Sequence, residues 1–156
     1  MTFDDFGPLL GRAQAHAMRF IDALPERFVG ARAGRDDMLS AFDGALPARG
    51  EPADAVIDRL ALHAPRGTQA CAAPRYFGFV IGGTVPVALA TDWLVSTWDQ
   101  NAGIHVIPPM AAALEEIAAR WLLELFDLPR GTGVGFVTGC QMADFTCLPA
   151  AGDGVV

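Results

Sequence analysis

The sequence predicts an α/β protein whose visible portion is mostly helical. Apolar residues recur at helical spacing in several separate runs. Proline stands at the start or just past the end of most of these runs, where a helix tolerates it. Near the end of the chain, residues 135–143 read as a short buried strand, a small-residue turn and a helix start.

With 156 residues, the chain is long enough for one domain with a real core. Hydrophobic residues make up 52% and charged residues 19%, a globular balance that excludes intrinsic disorder. Eleven basic residues against 18 acidic ones give a net charge of -7. That excludes non-specific binding to nucleic acid or to an anionic membrane, since both require a basic face. Residues 1–5 are acidic and no apolar run follows, so no signal peptide is expected. The longest uncharged stretch, residues 76–91, holds Gly82, Gly83 and Pro86 and is too short to span a bilayer. It reads as core, and a soluble cytoplasmic protein is expected.

The elements follow in order. Leu9, Leu10, Ala13, Ala17, Phe20, Ile21 and Leu24 recur at helical spacing until Pro25 stops the run. Residues 29–33 are small, Gly-punctuated and loop-like. Asp36 and Asp37 open a short helix through Phe42, with acids at the end that the helix dipole favours. Glu51 and Pro52 start another, carrying Val56, Ile57, Leu60 and His63 on one face. These short amphipathic helices must bury their apolar faces on something else. Residues 65–73 read as a linker into the aromatic segment 74–79. Pro86 begins a helix through Trp98. The polar residues that follow, 99–103, read either as a helix-terminating loop or as a loop presenting hydrogen-bonding groups into a cleft. Pro108 and Pro109 open the clearest helix, with Met110, Leu114, Ile117, Trp121, Leu125 and Leu128 on one stripe. Pro129 marks its end.

Residues 135–138 are the predicted strand, and residues 138–143 turn into a helix. Free backbone N–H groups and the helix dipole converge at such a turn, so an anion such as phosphate is a candidate occupant. The three cysteines, Cys71, Cys140 and Cys147, are odd in number and predict no disulfide framework. Cys140 and Cys147 on one helix would lie roughly 10 Å apart. There is no Cys-x-x-Cys pair, and His16, His63 and His105 are scattered, so no metal site is expected. Every basic side chain is Arg, and without Lys no side chain here forms a Schiff base. A Gly-x-Ser-x-Gly elbow is also absent, which argues against a small hydrolase.

Several short motifs together carry a resemblance. They are residues 74–83 (PRYFGFVIGG), 90–94 (ATDWL), 98–101 (WDQN), 114–116 (LEE) and 135–139 (GFVTG). In order and spacing the chain resembles the group II pyridoxal-phosphate (PLP) dependent decarboxylases, which act on aromatic amino acids, glutamate or tyrosine. The likeness runs from about residue 51 to residue 146, and residues 1–50 match the family's helical N-terminal flap more loosely.

The resemblance implies a fold and an activity. The fold is the start of the fold type I PLP-dependent architecture. Residues 1–65 would be the flap segment, and residues 66–156 the incomplete beginning of the PLP-binding large domain. The activity is that of a carboxy-lyase on an amino acid, in a cytoplasmic homodimer, with pyridoxal 5'-phosphate as the electron sink. Thr138, Gly139, Cys140, Gln141 and Met142 match the turn that holds the cofactor phosphate. Tyr76, Phe79, Val80 and Gly82 match the segment lining the substrate pocket. Asn101, Gly103 and His105 match a loop that reaches the neighbouring subunit's site.

The chain also departs from the family pattern. Cys140 replaces a glycine and Asp144 an asparagine, changes expected to crowd and repel a phosphate. Pro149 is expected to disrupt the helix that follows. The family's cofactor-stacking His, pyridine-pairing Asp and Schiff-base Lys have no counterpart in the 156 residues. The expectation is therefore an inactive fragment of a decarboxylase. The alternative is a non-catalytic remnant or interaction module.

Overall fold

The computed structural model describes residues 5–101, 106 and 109–153. Its helices are α1 (Phe6–Ala23), α2 (Arg35–Phe42), α3 (Ala53–Gly67), α4 (Pro86–Trp98), α5 (Pro109–Leu125) and α6 (Cys140–Asp153). The chain divides into two compact units, Met1–Leu89 and Ala90–Val156. No helix among the described residues is long and apolar enough to cross a membrane.

In the first unit, α1 and α2 both pack on α3. The Asp37 carboxylate accepts the Gly34 N–H at 2.9 Å and so caps the start of α2. The core is small: Leu24, Ala70 and Ala73 are buried, with Phe20 packed against them. Ala70 has no exposed surface.

Arg27 ties these pieces together. Its guanidinium lies over the Phe20 ring, 4.6 Å from the centroid, and donates to the Pro65 carbonyl and to Thr68. The N–H groups of Arg32 and Ala33 donate to the Arg66 carbonyl at 2.8 and 3.0 Å. Loop donors thus satisfy carbonyls that the end of α3 leaves without helical partners. This explains why α3 continues through Pro65 to Gly67, where the sequence reads as linker. The rest of that segment is also held, since the Ala70 N–H donates to Val29 and Arg75 donates to the Arg27 carbonyl.

The uncharged stretch expected to be core is on the surface instead. Phe77 is 93% and Phe79 79% exposed, and Val80 is fully exposed. Phe79 and Val80 both have φ of 55°, and the Ile81 N–H closes the turn on Gly78 at 3.3 Å. Turns with two central residues at positive φ normally use Asn and Gly. Aromatic and β-branched residues are strained there. No helical or strand period runs through this segment, so its apolar side chains share no face to bury.

In the second unit, α5 and α6 do not pack on one another. No residue of α4 is buried. In α5 the buried residue is Leu123, off the predicted stripe, while Trp121 and Leu125 on that stripe are 70% and 75% exposed. The cause is the helix end. The Leu128 N–H donates to Leu123 at 2.8 Å and the Asp127 N–H to Glu124 at 3.2 Å, with Asp127 at φ 53°. This is a Schellman cap, which folds Leu128 back toward Leu123. α4 ends similarly, with Asp99 at φ 47° donating to Val95.

Two further expectations are corrected here. Residues 135–138 form no strand, and no strand occurs among the described residues, so no ladder satisfies their backbone groups. Pro149 does not break α6, which runs through it to Asp153. Pro149 has no N–H to donate to the Phe145 carbonyl, so α6 forgoes one ladder hydrogen bond there.

Candidate functional site

The five residues matched to the phosphate turn are contiguous at the start of α6. Thr138 and Gly139 form the bend, and Cys140, Gln141 and Met142 are the first helical residues. The Ala143 N–H closes the first turn on Gly139 at 3.0 Å. All five residues are exposed. A Cβ placed on Gly139 would meet nothing within 4 Å, so the space beside the bend is open. The first-turn amides of a helix have no helical acceptors and carry the positive end of its dipole. This arrangement can accept a phosphate. Asp144 is exposed one turn further along.

The residues matched to the substrate segment lie in the first unit. Tyr76 is half-buried, and its hydroxyl donates to Gln69 Oε1 at 2.8 Å. Partial burial, then the neighbouring Cys71 thiol, pushes the Tyr76 phenol above its ordinary range, so it stays a donor. Phe79 and Val80 occupy the strained turn, and Gly82 faces open space. Asn101 lies in the second unit and is exposed. Gly103 and His105 lie outside the described residues. The cysteines Cys71, Cys140 and Cys147 are free, the last two exposed on α6.

Two grooves among the described residues lie away from these segments. One, of about 560 Å³, runs along Asp5, Pro8, Leu9, Arg12, Ala53 and Asp54. The other, of about 450 Å³, surrounds the end of α5 and is lined by Arg120, Trp121 and Arg130 among others.

Beside the first groove lies a polar cluster that sequence reasoning missed. Arg12 Nη1 donates to Asp58 Oδ2 at 2.6 Å, and Arg12 also approaches Asp54 at 3.9 Å. His16 Nε2 meets Asp58 Oδ1 at 2.8 Å, and Arg19 Nη2 donates to His16 Nδ1 at 2.6 Å. The His16 hydrogen bond, then Arg12, holds the Asp58 carboxyl below its ordinary range. One signal was legible: Arg12, His16 and Arg19 recur at i, i+4 and i+7, and Asp54 and Asp58 at i, i+4. Which helix each stripe faces required the fold.

No family model matches the chain.

Proposed function

We propose that this chain is the front portion of a PLP-dependent amino-acid decarboxylase that works as a cytoplasmic homodimer. The reading rests on the ordered motifs from residue 74 to residue 139. One structural observation supports it: the bend at Thr138 and Gly139 feeds directly into the first turn of a 14-residue helix. Those first-turn amides fit the phosphate of the cofactor. They do not fit its ring or aldehyde, because the 156 residues contain no lysine to form the imine. No step of the reaction is therefore assigned to residues of this chain.

The test uses the natural protein with whatever chain accompanies these residues. The expected result is a visible imine absorbance band and release of CO₂ from an amino acid. A folded protein with neither property would overturn the proposal.

A second reading is an interaction module, and the exposed surface favours it. The accessible surface is 12834 Å². A folded monomer of this mass exposes about 7,600 Å², and two separate half-size globules about 9,100 Å². Large apolar side chains are exposed on α4, on α5 and in the 77–87 segment, among them Phe77, Val80, Val87, Trp121 and Leu125. Surface of this kind belongs against a partner. This reading expects the purified chain to self-associate or to be captured as a complex, and a stable, soluble monomer would count against it.

A further inference from the structure

We propose that Cys140 and Cys147 make α6 an oxidation-dependent interface between two copies of this chain: the helices pair antiparallel, and each Cys140 bonds to Cys147 of the partner subunit. The proposal does not rest on the decarboxylase reading.

The thiols share an open face. Both are free and exposed, and within the second unit neither α4 nor α5 packs on α6. Seven residues turn a helix by about 700°, so the two side chains project within about 20° of one another. They stand roughly 10 Å apart along the axis, too far to bond within one chain. On the same face Ala143 lies between them and Ala150 beyond, and both side chains are small. Pro149 is nine residues from Cys140 and so on the opposite face, where its ring does not stand between two such helices.

The register follows from symmetry. In an antiparallel pair centred midway between the cysteines, Cys140 stands opposite the partner's Cys147, and the reverse pair forms with it. Helix axes about 10 Å apart, with Cα atoms about 2.3 Å from each axis, leave facing Cα atoms about 5.4 Å apart. A disulfide spans roughly 4.4–6.8 Å between Cα atoms. Like cysteines in this pair stay roughly 10 Å apart and cannot bond. A parallel pair would instead join like with like.

Oxidation is needed because little else holds the pair. A 14-residue helix is about 21 Å long and about 10 Å wide, so one face offers on the order of 200 Å². A stable interface uses about 800 Å² per partner. The two exposed Asp144 carboxylates also come side by side across the pair and repel. Each bond forms by exchange with a small disulfide such as oxidised glutathione. One protein thiolate displaces a glutathione thiolate, and the partner's thiolate displaces the other. Two protein thiols and one glutathione disulfide thus become one protein disulfide and two glutathione thiols, which take up the two protons.

The test incubates the full chain with oxidised glutathione and separates the products on a non-reducing gel. The expected product is a covalent dimer that a dithiol returns to monomer. Cleavage before aspartates leaves Cys140 in residues 127–143 and Cys147 in residues 144–152, so mass spectrometry of the dimer reads which cysteines are joined. The joined pair should be one of each. Cys140→Ser and Cys147→Ser should each lower the dimer yield about tenfold, because like cysteines are out of reach. Mixing the two variants should restore a singly linked dimer, since one supplies Cys147 and the other Cys140. No dimer from the wild-type chain, links through Cys71 or between like cysteines, a single variant that links at the wild-type yield, or a mixture that stays monomeric would each overturn the proposal.

Discussion

The two units are similarly rich in apolar residues, yet they use them differently. In Met1–Leu89, hydrogen bonds join residues 38 to 48 positions apart, as in Arg27 with Pro65 and Arg75 with Arg27. In Ala90–Val156, hydrogen bonds such as Thr97 to Trp93 and Thr146 to Met142 stay within one helical turn. The first unit buries Leu24, Ala70 and Ala73 in one cluster, whereas the second buries Leu123 beside its own helix cap. Hydrophobic content alone therefore does not make a core. A core needs elements whose apolar residues meet: the end of α1 meets the 70–73 segment in that way, whereas α5 and α6 do not pack on one another.

The largest expected effect comes from the buried leucine. Leu24→Ala should lower the stability of the first unit by about 2 kcal/mol, the low end for such truncations because the cluster is small. Trp93, Trp98 and Trp121 all lie in the second unit, so tryptophan fluorescence reads that unit alone. Denaturant unfolding followed by circular dichroism should shift while the fluorescence transition stays in place. If the two transitions shift together, the units unfold as one and the comparison breaks.

A smaller effect tests the strain at the 78–81 turn. Val80→Gly should stabilise the first unit by about 1 kcal/mol, because glycine adopts positive φ without a Cβ clash. Asp127→Gly at the α5 cap should gain less, about 0.5 kcal/mol, since aspartate tolerates the left-handed region better than valine does. The order of these gains, read from unfolding midpoints, sharpens the comparison. Equal gains would mean that the surroundings of Val80 relieve its strain.

The smallest effect is electrostatic and is read by pH. The Asp58 carboxyl is held low, first by the His16 hydrogen bond and then by Arg12. A depressed folded pKa contributes stability that is present above the ordinary aspartate range and lost as pH falls through the lowered value. Amide exchange in α1 and α3 should therefore accelerate on the acid side of about pH 4. Asp58→Asn should remove that step, and an identical acid profile in the variant would show that the pair contributes nothing to the contact.

Much of this molecule was legible from short-range chemistry. Pro86 to Trp98 and the region from Pro109 onward read correctly as helices, because proline at a first turn and apolar spacing are local signals. Asp36 and Asp37 likewise marked the start of α2, and the run from Leu9 to Leu24 marked α1. The turn into α6 at Thr138 and Gly139 was visible for the same reason.

Tertiary contacts decided the rest. Pro65 reads as a stop, yet α3 passes it because Arg27, Arg32 and Ala33 supply donors from over thirty residues away. Residues 135–138 read as a strand, yet a strand needs a neighbour for its ladder, and none forms among the described residues. Leu123 rather than the Met110-to-Leu128 stripe is sheltered, because the cap geometry brings Leu128 back onto it. The His16 cluster joins residues over forty positions apart and has no local signature beyond helical spacing. Sequence determined where helices start and which residues could meet at i and i+4. The fold alone decided which faces found partners, because burial and hydrogen-bond satisfaction depend on what stands opposite in space.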